Sequence, residues 1–451
     1  MRTFLKTASL AILLAGSVAA VAGEKPQGSW DAQLIRNGNS IPFRLDIAGE
    51  GSTLKGTLYD GFKPYEYTTS ASYKDGKLVL NIEHYLTTIT AKFEGEKLVG
   101  DVVAQNRGGR SDYQFVAIRH DAAAAAAAAA VPAPSISGAW EIPLSDPSSK
   151  GEKAFRLSVE QRGAAVAANI VRIDGDTGSY SGTYKDGKWV LSHFDGSRPG
   201  VIEVTPTTDG TLEILQRRDG PQRVATSSYS DSGPDGRYSP KLIAYRPAVA
   251  RAKGFPEPSN HLTHTVVNNG TEKFTFSFPD VDGKQVTSED PHFSGKVVLA
   301  IVTGTWCPNC HDEAQYLVEL DRKYRDQGLS IVALNFEEVE QQDSLHRARA
   351  FIKQYGVTYP YLIAGAPEEM WEKVPQLVNL NTWPATVFVG RDGKVRDIHS
   401  GFVSPSTGDL YKKQLSDFES RIVKLLAENA SGDQKVSATS AEAAATVASN
   451  R

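Results

Sequence analysis

Three short stretches in the first half of the chain recur at almost one spacing. Gly28-Ser29-Trp30 answers Gly138-Ala139-Trp140, and Phe43-Arg44-Leu45 answers Phe155-Arg156-Leu157. Tyr73-Lys74-Asp75-Gly76-Lys77-Leu78-Val79-Leu80 answers Tyr184-Lys185-Asp186-Gly187-Lys188-Trp189-Val190-Leu191, so the three offsets are 110, 112 and 111 residues. That regularity predicts a tandem duplication, in which one local fold must serve twice. Each copy consists of short alternating runs broken by turn signals such as Lys-Asp-Gly and Gly-Asn, with little helical periodicity. The pattern predicts two all-β domains, each a small antiparallel sandwich or barrel. Neither copy gathers His, Asp, Glu or Ser into a catalytic cluster, and both read as binding or spacing modules.

The repeat fixes the boundaries around it. The first copy is placed at residues 24–120 and the second at 136–246, with an Ala/Pro linker at 121–135 between them. The linker begins with the unbroken run Ala122 to Ala130, which favours helix, and is stiffened by Pro132 and Pro134. A second linker, 247–260, leads to a domain of different character at 261–430, and the Ala/Ser/Thr-rich tail 431–451 reads as disordered.

Residues 1–22 have the form of a secretory signal: Arg2 and Lys6, the apolar Ala8 to Ala15, and an A-x-A site at Ala20-Val21-Ala22. The apolar core is too short to span a bilayer, and no cysteine near Ser17 marks a lipid anchor. The expectation is a soluble periplasmic protein with no transmembrane helix in the mature chain. A net charge of −4 favours neither nucleic-acid binding nor a basic membrane-surface patch.

The chain has only two cysteines, and they lie three apart in Thr305-Trp306-Cys307-Pro308-Asn309-Cys310-His311. The apolar run Lys296 to Val302 leads into them, and Ala314, Leu317, Val318, Leu320 and Tyr324 follow at near-helical spacing. The spacing predicts a strand feeding a helix from Pro308 to about Gln327. A thiol at a helix N-terminus has a lowered pKa and is a thiolate near neutral pH. Around this unit the sequence predicts a hairpin over Phe274 to Val286, a strand over Leu329 to Phe336 and a helix over Ser344 to Tyr355. A strand at Tyr361 to Ala364, a hairpin joining Ala385–Val389 to Lys394–Ile398, and a helix over Leu410 to Leu426 complete an α/β layer.

These residues resemble the thioredoxin superfamily, specifically its TlpA/ResA-like exported thiol-disulfide oxidoreductases. The resemblance covers about Phe274 to Ala427. It rests on Asp282-Gly283-Lys284, Gly295-Lys296-Val297-Val298, Trp306-Cys307 with Cys310, Glu313, Trp383-Pro384-Ala385-Thr386 and Gly401-Phe402. It implies a thioredoxin fold whose first cysteine, Cys307, attacks a disulfide and whose second, Cys310, resolves the mixed disulfide. It further implies that Pro384 is a cis-proline docking substrate backbone opposite the cysteines. Trp306 and Trp383 are the expected substrate-binding neighbours, although the family usually has a small residue where Trp383 stands. Glu313 is implied as a proton-handling group; the aspartate that many thioredoxins bury in the preceding strand is replaced by Ile301.

No cofactor beyond the redox-active Cys307–Cys310 pair is expected, and no metal. The expected partners are disulfide-bearing exported proteins, apocytochrome c among them, and a membrane thiol reductant as electron donor. Cys307-Pro308-Asn309-Cys310-His311 also spells a c-type haem attachment site, with Met370 the only methionine past the initiator. Two readings compete on function. One is a peroxiredoxin-like thiol peroxidase, which wants threonine three residues before its cysteine, where this chain has Gly304. The other is an envelope binding protein whose β domains carry the main role.

Overall fold

A computed structural model describes residues 25–106, 109–217, 241–270 and 272–428. The expected signal peptide and C-terminal tail lie outside the described residues.

The first all-β unit is a nine-stranded antiparallel meander running from Gly28 to Arg119. Its two edge strands, Lys63–Tyr67 and Ser70–Lys74, are consecutive in the chain, so the sheet curls until its ends nearly meet. The second unit, Gly138 to Ala244, is an eight-stranded meander. A pair of 2.8 Å bonds between the backbones of Glu141 and Tyr245 returns its last strand to its first and closes a barrel. The bridge joins the two edge strands of the sheet to each other. Alternate residues of each strand point inward, which is why Trp30, Leu34, Leu45, Leu58 and Phe115 fill one interior and Trp140, Leu157, Trp189 and Ile202 the other.

Both units fasten their first tryptophan alike. Trp30 Nε1 donates to Pro26 O and Trp140 Nε1 to Ile136 O, each at 2.8 Å. Arg119 lies 3.9 Å over the Trp30 ring and Arg246 3.8 Å over that of Trp140, a cation–π arrangement that shields each indole from solvent. Between the units, Ala122–Ala129 is helical, started by the Asp121 side chain accepting from the Ala123 and Ala124 amides at 2.9 Å.

The C-terminal unit has a five-stranded mixed sheet. Its principal elements are β1 (Val297–Thr303), α1 (Pro308–Tyr324), β2 (Leu329–Phe336), α2 (His346–Tyr355), β3 (Tyr361–Gly365), β4 (Ala385–Val389), β5 (Val395–Ser400) and α3 (Asp409–Ala427). The strand order is β3-β2-β1-β4-β5, with β1, β2 and β3 parallel and β4 and β5 antiparallel to their neighbours. The central strand is apolar from Val297 to Val302 because both faces are covered. Val298, Ala300 and Val302 pack with Phe274, Phe276 and Phe293, while Val297, Leu299 and Ile301 meet α1 and α3. The fold is thioredoxin-like, and it places the start of α1 at the carboxyl end of β1. The first helix ends at Tyr324 rather than Gln327, because Arg325–Gln327 tighten into a 3₁₀ turn before Gly328.

The three units pack against one another through both polar and apolar groups. Tyr65 of the first unit donates to Asp312 Oδ1 on α1 at 2.7 Å. Asp176 of the second accepts from the Ser404 amide and hydroxyl at 2.7 and 2.6 Å. Phe194 of the second unit joins the first unit's core, 4.8 Å from the Phe43 ring.

Candidate active site

Cys307 is the N-cap of α1, Pro308 supplies the first helical position without needing a donor, and the Cys310 amide donates to Cys307 O at 3.0 Å. Both thiols are free and only 2% and 1% exposed. Burial pushes the Cys307 thiol up, but hydrogen bonding from the Cys310 side chain and the nearby Arg198 cation outweigh it, leaving its pKa below the ordinary thiol value. Burial, and then the neighbouring Cys307, push the Cys310 thiol well above it. The two sulfurs are therefore unequal: one is poised to attack and the other holds its proton.

The Trp383-Pro384 peptide is cis, and the Cys307 sulfur lies 3.4 Å from Trp383 O. Pro384 O accepts from the Gly401 amide at 2.7 Å, which ties the proline loop to the end of β5. Trp306 stands beside Trp383 with ring centroids 5.0 Å apart and donates to Phe336 O at 2.9 Å. A Cβ on Gly304 would come within 2.5 Å of the Trp306 indole, so this ring position requires glycine there.

Glu313 is 1% exposed. The Thr386 hydroxyl donates to its Oε1, and its Oε2 has no partner among the described residues. Burial raises its pKa to about 8; the Thr386 bond works against that rise and the charge on Cys307 adds to it. A small cavity of about 10 Å³ touches Cys310, Glu313, Thr303 and Tyr359. That is close to the space a single water needs. Ile301, in place of the aspartate of many thioredoxins, pairs with Thr386 across the sheet and belongs to the apolar cluster on that face.

His311 does not stand free beside the cysteines. Its ring is buried 4.4 Å from Tyr85 and 4.7 Å from Phe351. Its Nε2 lies 2.7 Å from Thr305 O, and since a carbonyl only accepts, Nε2 carries the proton. The Tyr355 hydroxyl then donates to Nδ1 at 2.8 Å. Met370 lies in the apolar core. Among the described residues no group of three or more His, Cys, Asp or Glu is placed to hold a metal ion.

The duplicated units, which read as binding or spacing modules in sequence, contribute to the site in the structure. The turn at Ile173-Asp174-Gly175 of the second barrel reaches the cysteines. Asp174 Oδ1 accepts from the Trp383 amide at 2.9 Å, and Asp174 O accepts from Asn309 Nδ2 at 2.6 Å and the Phe402 amide at 2.8 Å. Lys150 pairs with the same carboxylate in the interior. Arg198 donates to Trp306 O at 3.5 Å. The only trace of this in the sequence is a generic Asp-Gly turn signal.

A dithiol at a helix start, opposite a cis-proline on a thioredoxin-like sheet, defines the C-terminal unit as a thiol-disulfide oxidoreductase. Residues 268–415 match the Redoxin family model. The chain is similar to the thiol-disulfide oxidoreductase ResA of Bacillus anthracis, 29% identical over 153 residues that make up 34% of this chain and 78% of that protein. It is also similar to ResA of Bacillus subtilis, 27% identical over 140 residues, 31% of this chain and 72% of that one. Among solved structures, a thiol:disulfide interchange protein of the thioredoxin family from Chlorobium tepidum aligns at 22% identity and a TM-score of 0.29, covering 36% of this chain and 99% of that one.

Proposed function

We propose that the protein is a periplasmic disulfide reductase that acts on exported proteins, apocytochrome c among the candidates, and is recharged by a membrane thiol reductant. The observation that carries this reading is the placement of Cys307 at the start of α1, its sulfur 3.4 Å from Trp383 O beside the cis Pro384, with Cys310 in the first turn behind it. The Cys307 thiolate attacks one sulfur of the substrate disulfide; that S–S bond breaks, and the departing sulfur leaves as a thiolate and takes up a proton. Cys310 then loses its proton and attacks Cys307 in the mixed disulfide, expelling the second substrate thiolate. Two electrons have passed to the substrate and Cys307–Cys310 is oxidised. Two thiols of the donor return it to the dithiol.

Glu313 takes the Cys310 proton in the second step, relayed across the small cavity both residues line. A carboxyl with a pKa of about 8 is matched to that task near neutral pH. Trp306 and Trp383 flank the approaching disulfide, and Pro384 fixes the loop against which the substrate backbone lies. No cofactor beyond the cysteine pair is required. Both ring nitrogens of His311 are engaged within the protein, which favours dithiol chemistry over haem attachment at the same motif. The peroxidase reading would place a threonine at Gly304, where a side chain meets Trp306. Export rests on the signal-like residues 1–22, and among the described residues no helix is long and apolar enough to cross a membrane.

Cys310→Ser is expected to accumulate a mixed disulfide on Cys307 with reducible substrates, visible as a mass increase reversed by dithiothreitol. Equilibration with glutathione buffers is expected to give a potential below about −200 mV; a value near −120 mV, that of a strong dithiol oxidant, would reverse the direction assigned.

A further inference from the structure

Three polar donors around the redox pair are those a bound polypeptide would be expected to use: the Trp383 amide before the cis-proline, the Asn309 side chain inside the CxxC, and the Phe402 amide after β5. One turn of the second barrel engages all three. Asp174 supplies its carboxylate to the first and its backbone carbonyl to the other two, at 2.6 to 2.9 Å. Gly175 follows at φ +115°, and a Cβ on it would run into Phe402 O and Asn309 Nδ2. The turn is held from behind by the buried Lys150–Asp174 pair and laterally by the Asp176–Ser404 bonds. With Cys307 only 2% exposed, the approach that a substrate chain needs is already filled.

We propose that the Asp174–Gly175 turn is the resident occupant of the substrate-docking face and determines which disulfides reach Cys307. The proposal rests on the reading of Cys307 as a nucleophile toward polypeptide disulfides. An extended polypeptide pairs its backbone with Trp383 and must first lift the turn away. It competes by offering the same chemistry, a carbonyl to the Trp383 amide and another to the Phe402 amide. A small disulfide needs only the sulfur atom and makes none of these bonds. Asp174, in the second barrel, is thus a specificity-determining residue for a reaction carried out by the C-terminal unit.

The test compares two substrates on the full chain, with dithiothreitol as electron donor: insulin and the small aromatic disulfide 5,5′-dithiobis(2-nitrobenzoate). Gly175→Leu wedges the turn off the docking face, and Asp174→Ala removes the acceptor for Trp383. Both are expected to raise the insulin rate about tenfold relative to the small-disulfide rate, equivalent to 1.4 kcal/mol and to the loss of about one hydrogen bond; taking the ratio removes the effect of the Asp174 charge on the Cys307 thiol, which both substrates share. Asp174→Asn keeps an acceptor for Trp383 and is expected to return the ratio toward wild type. A ratio that stays unchanged in both variants overturns the proposal. Should Gly175→Leu lose both activities together, Asp174→Ala decides: a selective rise supports the proposal and its absence overturns it. If the wild-type protein turns over neither disulfide, the exchange reading itself fails, a result distinct from equal turnover of both by all variants.

Discussion

Glu313→Gln is expected to make the protein more stable at high pH and slower as a catalyst. The carboxyl titrates at about 8 in the fold against an ordinary 4.5, chiefly because burial disfavours its charge. Between those values the folded protein holds a proton that the unfolded chain has released. The folded state then binds more protons, so stability falls as pH rises from about 4.5 to about 8 and stays lowered above that. At 1.36 kcal/mol per pKa unit the penalty reaches about 5 kcal/mol by pH 8 and is close to zero at and below about pH 4.5. Glutamine keeps an oxygen for the Thr386 hydroxyl but carries no charge at any pH; its amide costs about 1–3 kcal/mol wherever a buried N–H lacks a partner. Urea unfolding of the reduced protein, followed by circular dichroism near pH 5 and near pH 8, isolates the residue, since every other titrating group is common to both chains. The variant is expected to gain about 3–5 kcal/mol on the wild type between the two conditions. Removing the base should also slow resolution of the mixed disulfide by about 10²- to 10⁴-fold, read in single turnover. Parallel stability profiles would refute the burial argument; unchanged resolution kinetics with divergent profiles would leave Glu313 a buried acid without a proton to move.

Further substitutions test the surroundings of the site. His193 has its pKa raised to about 9: burial opposes the charge, but Asp195 and Asp60 overcome it. The stability it contributes is fully present below about pH 6.5 and lost as pH rises to about 9, so the destabilisation caused by His193→Gln should shrink across that interval in thermal melts. Tyr65→Phe takes the donor from the buried Asp312 carboxyl and is expected to cost about 1–3 kcal/mol in urea unfolding. Gly304→Thr installs the residue a peroxiredoxin would want; displacement of Trp306 should lower disulfide exchange, and a gain of peroxide consumption would sink the assignment made here.

The parts of the site that were legible in the sequence are those governed by short-range rules. A strand covered on both faces reads as a near-continuous apolar run, which is why Val297–Val302 announces itself, and a CxxC shortly after it opens the next helix. Trp383-Pro384 was visible as a proline heading an apolar run. The alternation and Lys-Asp-Gly turns of the first half gave antiparallel sheets, but the choice between sandwich and barrel depends on pairings such as Glu141 with Tyr245, which no local pattern records. The same limit hid Asp174. It sits 209 residues from the amide it binds, and in sequence it is one acid in an ordinary Arg-Ile-Asp-Gly-Asp turn.

Two glycines decide how the contact around Asp174 should be understood. Gly175 on the barrel and Gly401 on the thioredoxin-like unit both have positive φ, at +115° and +78°. A Cβ on either would strike backbone of the other unit: Phe402 O from Gly175, and Ile173 O and Asp174 O from Gly401. Backbone approach this close is tolerated on neither side by any other residue type, and it is anchored by buried groups that lose their partners if the units separate. A spacer needs no such fit, because its job is done by length alone. The second barrel is therefore shaped to the redox site, which is the fit that the proposed control of access to Cys307 by the Asp174–Gly175 turn requires.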